Sequence, residues 1–308
     1  MTRSMKALLT SKSSAGAWQI RGLQIAQTRT EWIASNSPSE DEIEEADVVC
    51  IVKKIDNKTL NLCKQKNKLL VLDVVDFWPQ SDKLNESLSR FESLQLVRKL
   101  IKNIEPDALI FPNFAMWAEL RSSFPVTPST FIYHHFRTEF SNIVNRPELR
   151  PITTIGYEGA DYLGEWLEIA GNICAELGIE FVVNPSSLLN VDAVFSARGS
   201  IFRTFLNCNF KSNVKASNAI GANKPFLCHV DERSAHEVDP GTFLFFDNAF
   251  TLKQQIQKIQ NDGSFRALNF QKMNSAKPLY GIESIASEFD LFFHKVHYWH
   301  KKFEVRKS

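Results

Sequence analysis

The feature that most constrains this chain is an alternation of short apolar runs with segments of helical periodicity, which is interrupted once and then resumes. Runs of strand character stand at 6–10 (KALLT), 30–34, 47–52 (DVVCIV), 69–74 (LLVLDV), 108–111 (ALIF) and 130–134. Helical segments are expected between them at 16–27, 40–45, 59–65, 88–104 and 116–122. Parallel strands need crossover connections, and the helices that make them cover both sheet faces, so this order predicts a parallel, doubly wound sheet. Residues 136–151, FRTEFSNIVNRPELRP, contain two prolines and little periodicity and read as a linker. The alternation then restarts, with strands expected at 152–157, 180–183, 192–196, 226–230 and 242–246, and helices at 162–177 and 251–260. From 283 onward, ESIASEFDLFFHKVHYWHKKFEV reads as one long helix. The expected organisation is therefore an α/β fold of two Rossmann-like domains, 1–150 and 151–283, with a terminal helix over 284–308 packing across both.

Composition allows this and narrows the function. A chain of 308 residues, 44% hydrophobic and 23% charged, is long enough for two cores. Lys plus Arg number 36 against 35 Asp plus Glu, a net charge of +1, so the total gives no general attraction to nucleic acid or to an anionic membrane. Any anion site must be local. Five scattered cysteines without a CxxC pair point to free thiols in a reducing compartment rather than to disulfides or zinc. The apolar run at the N-terminus is too short for a signal peptide and no apolar segment is long enough to span a bilayer, so the expected location is cytoplasmic. GxGxxG, GxxxxGK[ST], HExxH and DxD are all absent, which leaves nicotinamide binding, P-loop hydrolysis, zincin chemistry and metal-dependent sugar transfer without their usual signals.

The stretch KSNVKASNAIGANKP, 211–225, supplies a positive candidate. Lys211 and Lys215 stand where a helix begins, and Lys215 occupies a position where a capping box would have Glu or Gln. Cations are disfavoured beside the positive end of a helix, and a bound phosphate or diphosphate would remove the conflict. Ala216, Ala219, Gly221 and Ala222 leave room for the sheet or a ligand to approach. A solvated lysine pair beside a tightly packed helix is the plainer alternative. In doubly wound sheets ligands gather at the carboxyl ends of strands, which nominates further residues. The loop Gly16, Ala17 and Trp18 follows the first strand, where a close approach to sugar or phosphate and an ordinary helix start are both open. The pair His134 and His135 ends the last strand of the first domain; His135, nearer the loop, is preferred as a proton acceptor. Asp73 and Asp76 look like a carboxylate pair, with Asp76 the better candidate and turn capping its alternative. His294, His297 and His300 spread around a helix without a carboxylate or cysteine nearby, and read as part of an aromatic and basic helix rather than a metal site.

Taken in order, DAVFSA, the KxxxK helix with its small residues, KPFLCHVDERSAHEV and GTFLFFD resemble the carboxyl-terminal domain of GT-B-fold glycosyltransferases. KALLTSKSSAGAWQIRGLQIAQ and VLDVVDFW are similar to the first loop and fourth-strand region of their amino-terminal domain, and ITTIGYEG to the strand that opens the second. The resemblance implies two Rossmann-like domains across a cleft, with the terminal helix returning to the first domain. It implies transfer of a sugar from a nucleotide-diphosphate donor to a glycan or lipid-linked acceptor, as in polysaccharide biosynthesis, without a metal or bound cofactor and without nucleic acid. It places Lys211, Lys215, Asn218, Arg198, Arg203 and Glu237 near the donor, Glu237 also being open to reading as a helix-start acid. In the retaining EX7E group two glutamates stand where this chain has Phe210 and Asn218, and the basic pair that commonly follows the opening strand is replaced by the acids of GYEGADYLGE. A non-catalytic subunit of the same fold and a nucleotide-sugar epimerase are the alternatives. The terminal helix, with Phe292, Phe293, Tyr298, Trp299, Lys301 and Lys302, offers peripheral membrane contact as an alternative to packing on the first domain.

Overall fold

The computed structural model of the protein describes residues 5–14, 16–78, 88–143 and 151–304, and side chains to 302. These divide into two compact units. The first holds the described residues of 5–78, 89–134 and 282–304, and the second Leu88 and those of 135–143 and 151–281.

The first unit is built on a six-stranded parallel sheet in the order β2-β1-β3-β4-β5-β6. Its strands are β1 (Ala7–Thr10), β2 (Trp32–Ser35), β3 (Val48–Val52), β4 (Leu69–Asp73), β5 (Ala108–Phe111) and β6 (Ser129–Phe131). β1, β3, β4 and β5 are buried along their whole length, as expected when helices cover both faces of a parallel sheet. α1 (Gly16–Trp18) continues directly as a π-helix over Gln19–Gln24. It is followed by α2 (Glu40–Glu45), α3 (Asn57–Gln65), α4 (Arg90–Ile104) and α5 (Phe114–Leu120). Ser39 and Ser89 begin α2 and α4 with capping boxes closed by Glu42 and Glu92, which fix those boundaries locally.

The second unit carries a five-stranded parallel sheet in the order β11-β10-β9-β7-β8. Its strands are β7 (Thr154–Tyr157), β8 (Glu180–Val183), β9 (Ala193–Ser196), β10 (Phe226–His229) and β11 (Leu244–Phe246). Its helices are α6 (Glu165–Glu176), α7 (Phe205–Asn209), α8 (Val214–Ala222), α9 (Arg233–Val238), α10 (Ala249–Asn261) and α11 (Gly263–Ala276). One face of the sheet buries Tyr157, Phe195, Leu227 and Phe246 against Trp166 and the apolar side of α10.

Two boundaries differ from the sequence reading. The segment taken for a linker begins inside the second unit: the Phe136 amide donates to the Tyr280 carbonyl at 3.0 Å, and Arg137 pairs with Glu158. A methyl on Gly221 would lie 2.5 Å from the Phe136 ring, so the room left by the small residues of α8 is filled there by an aromatic side chain. The final helix, α12 (Ile282–Glu304), belongs to the first unit and was expected to lie across both. Its Ile285, Ala286, Phe289, Phe293 and Val296 complete the core that also contains Trp18, Trp32 and Ile110.

α11 is an element the sequence did not announce. Its buried residues are Arg266, Asn269 and Met273, a stripe at helical spacing whose first two members are polar. The Arg266 guanidinium caps the preceding helix through the carbonyls of Ile259 and Gln260, at 2.8 and 2.9 Å, and Asn269 donates to the Thr242 carbonyl at 3.2 Å. A helix that packs through hydrogen bonds leaves no apolar period to read.

Candidate functional site

In the second unit, the carboxyl ends of β7, β9 and β10 and the start of α8 bring charged residues together. α8 begins at Val214 after Asn213, whose side chain makes no cap and instead donates to the Ser217 hydroxyl at 2.5 Å. The Lys215 ammonium lies 4.3 Å above the Tyr157 ring, a cation over an aromatic face. Gly159, at φ +151°, lets the chain after β7 pass beside them: a methyl there would come within 2.9 Å of the Tyr157 hydroxyl and 3.5 Å of Lys215 Cε. The Tyr157 hydroxyl donates to the Ala160 carbonyl at 2.8 Å, and burial pushes its pKa up to about 12.

Lys215 is half-buried, and that burial lowers its pKa to about 8, with Glu232 opposing the shift and Arg198 adding to it. Glu232 follows β10, and its carboxylate sits 3.6 Å from Arg198 Nε. Burial alone would raise its pKa, but Arg198 and Lys215 outweigh that and hold it below the usual carboxylate range. Lys211 is half-buried and its charge also bears on Lys215. Arg198 and Lys215 thus both act on the Glu232 carboxylate, and Lys211 acts on Lys215.

The remaining candidates fall in three places. Asn218 is 4% exposed; its Oδ1 accepts from the Arg137 amide at 3.0 Å and its Nδ2 donates to Glu158 at 3.2 Å. The amide is thus engaged at both ends by protein. Glu237 lies in the last turn of the short helix α9, so it is not a helix-start acid. Arg203 stands apart from the lysines, with Nη1 3.2 Å from His229 Nε2 and 3.3 Å from Asp231.

In the first unit, Trp18 is 1% exposed and belongs to the core, which removes it from any ligand loop. The backbone of Gly22 packs on its ring. Gly16 is exposed, and a methyl on it would meet nothing within 4 Å. Asp73 is wholly buried and pairs with Arg21 Nε at 2.5 Å; Arg21 also donates to the carbonyls of Ile132 and Tyr133 at 2.9 and 3.3 Å. Asp73 and Asp76 are thus not an acid pair. Asp76 is half-buried in the turn after β4 with φ +45°, a left-handed conformation that Asp tolerates. β6 ends at Phe131, so the two histidines lie beyond the strand, and the division between the units falls between them. The His135 ring is 1% exposed, with Nδ1 2.7 Å from the Phe136 carbonyl. That contact places the proton on Nδ1 and makes Nε2 the lone-pair nitrogen.

Among the described residues, no group of three or more His, Cys, Asp or Glu side chains is placed to hold a metal ion, and no helix is long and apolar enough to cross a membrane. The sequence reading missed Tyr157, Glu158, Glu232, His229 and Arg137. The only signal available was position: each lies at or just after a run ending in a turn, but their partners are 26 to 81 residues away.

No protein-family model matches the sequence, and no curated protein matches it. Solved structures do. The chain superposes on HepE of Anabaena in complex with UDP-glucose with a TM-score of 0.59 at 12% identity, over 92% of this chain and 98% of that one. It superposes on an α-glucosyltransferase in complex with UDP and a 13-mer DNA with a TM-score of 0.61 at 7% identity, over 94% and 99% of the two chains. For α,α-trehalose 6-phosphate synthase from Burkholderia multivorans the TM-score is 0.59 at 8% identity, over 96% and 99%. At these identities the likeness establishes the fold, which is that of the GT-B glycosyltransferases.

Proposed function

We propose that this chain transfers a sugar from a nucleoside-diphosphate sugar to a hydroxyl of a glycan or lipid-linked acceptor. The observation that carries this reading is Lys215, a half-buried ammonium beside Arg198 and Lys211 at the strand ends of a GT-B fold. A lysine whose ammonium is disfavoured by its surroundings gains most from a diphosphate, and two of the fold's solved examples hold UDP-glucose or UDP. In the transfer, the bond from the anomeric carbon to the diphosphate oxygen breaks and the acceptor oxygen bonds to that carbon. Lys215, Arg198, Lys211 and the amides at the start of α8 take up the charge on the departing diphosphate, so the chain's own cations serve where other transferases use a metal. His135 Nε2 is assigned the acceptor's proton, with Asp76 as the other candidate base.

One observation favours binding without transfer. Phe210 is wholly buried and the Asn218 amide is engaged at both ends, at the positions where the resembled EX7E group carries its glutamates. Thermal unfolding and donor hydrolysis measured with UDP-, GDP-, CMP- and dTDP-sugars separate the two. A raised midpoint with slow release of sugar supports the transferase, and a raised midpoint without release supports the binder. If no nucleotide sugar moves the midpoint, or if Lys215→Met responds as the wild type does, the proposal fails.

A further inference from the structure

Beyond the carboxyl end of β10, the second unit has a pocket of about 510 Å³ between α7 and α9, lined by none of Lys211, Lys215, Arg198 and Glu232. That size suits a small molecule. Its wall is polar and includes Arg203, Thr204, Cys208, Asp231, Arg233 and His236. Two guanidinium groups face a single carboxylate. Asp231 takes a donor from Arg203 at 3.3 Å, and among the described residues Arg233 makes no ion pair. The excess positive charge disfavours a cation and favours an oxyanion.

The surroundings of Arg203 point the same way. The His229 ring is buried and held edge-on by Trp166 and Phe246, with centroids 5.3 and 5.6 Å away. Its Nδ1 accepts from the Asp231 amide at 3.2 Å, which leaves the ring proton on Nε2, 3.2 Å from Arg203 Nη1. The Asp231 carboxylate lies 3.5 Å from the same Nδ1, so the ring has its partners within the protein. Arg203 Nη1 thus faces a ring N–H rather than an acceptor, and an oxyanion in the pocket would take its donors.

We propose that this pocket seats the charged group of an acidic sugar, a carboxylate or phosphoryl oxyanion gripped by Arg203 with Arg233 beside it. That the ligand is a sugar rests on the glycosyltransferase reading, whereas the oxyanion rests on the pocket alone. The chemistry fits two sources, a uronic acid carried by the nucleotide donor or a sugar phosphate or uronate on the acceptor side.

Calorimetric titration of the full chain with glucose 6-phosphate, glucuronate, UDP-glucose and UDP-glucuronate, with glucose as the neutral control, tests this. At least one acidic sugar should bind more tightly than its neutral counterpart. Arg203→Gln should weaken that acidic sugar by about tenfold more than it weakens UDP-glucose. Arg203→Lys, which keeps the charge without the planar fork, should fall between the two and guards against a folding defect. Competition between UDP-glucuronate and a free acidic sugar assigns the pocket to the donor, and independent binding assigns it to the acceptor. The proposal is overturned if no acidic sugar outbinds its neutral counterpart, or if Arg203→Gln weakens both kinds of ligand equally. Binding of free acidic sugars with no response to UDP-glucose or UDP-glucuronate would instead sink the transferase reading and leave the pocket standing.

Discussion

Each unit places charge at the ends of its parallel strands, and the two do so in opposite ways. In the first, Asp73 ends β4 and meets Arg21 at 2.5 Å with both side chains 1% exposed or less. Two backbone carbonyls take further donors of the arginine, and its guanidinium lies 5.0 Å from the Phe289 ring. In the second, Glu232 and Arg198 stand 3.6 Å apart, each 11% exposed, and the charges of Glu232, Arg198 and Lys211 all act on Lys215. The first arrangement is closed and tight, while the second is looser and partly open to solvent. A strand-end charge is therefore not by itself a site, and what separates the two is the spacing of the pair and its access to solvent.

The largest break in this contrast should come from Asp73→Ala. It leaves the Arg21 cation buried without its counter-charge, so urea unfolding should show a loss of about 3–5 kcal/mol. Burial pushes the Asp73 carboxyl up against the pull of Arg21, so the pair adds little net stability, and Arg21→Met with Asp73→Leu should recover most of the loss. Gly22→Ala tests the packing that carries Arg21. The new methyl would sit 2.2 Å from the buried Trp18 ring, at an expected cost of about 1–3 kcal/mol by the same measurement.

In the second unit, breaking the site should spare the fold and cost ligand. Lys215→Met should weaken UDP-sugar binding by about tenfold or more, read by titration calorimetry. Its effect on stability carries a distinct sign. The folded pKa of about 8 lies below the ordinary 10.5, so the unfolded chain holds more protons between those values. The wild type should gain stability as pH rises through that window, and Lys215→Met should lack that gain. A diphosphate needs the ammonium, so UDP-sugar affinity should fall above pH 8, by up to about tenfold per unit, and the variant's should not. The smallest effect is expected at Gly16. Nothing crowds it and its backbone is ordinary, so Gly16→Ala should stabilise by about 0.4–1 kcal/mol. A drop in acceptor turnover in that variant would restore the loop to the site.

What could be read from the sequence follows from whether a signal is local. α2 was expected at its observed limits because Ser39 and Glu42 define its start within four residues. β5 and β8 were legible because a strand's own residues decide it. α11 was not, since Arg266 and Asn269 occupy the positions where an apolar stripe would show. Within the site, Lys215 stood out because its charge opposes the helix start locally. Glu232, Tyr157 and His229 did not, because their meaning comes from partners on other strands and helices. Trp18 misled for the same reason: its neighbours Gly16 and Ala17 suggest a loop, and only the core of the first unit shows that the ring faces inward.

The placement of α12 makes the first unit discontinuous along the chain. During synthesis the segment through His134 is made early, yet its core lacks Phe289, Phe293 and Val296 until more than a hundred further residues have left the ribosome. Damage to the last helix is then felt first around Trp32, whose ring meets Phe293 at 5.3 Å, and not in the unit that directly precedes it on the chain.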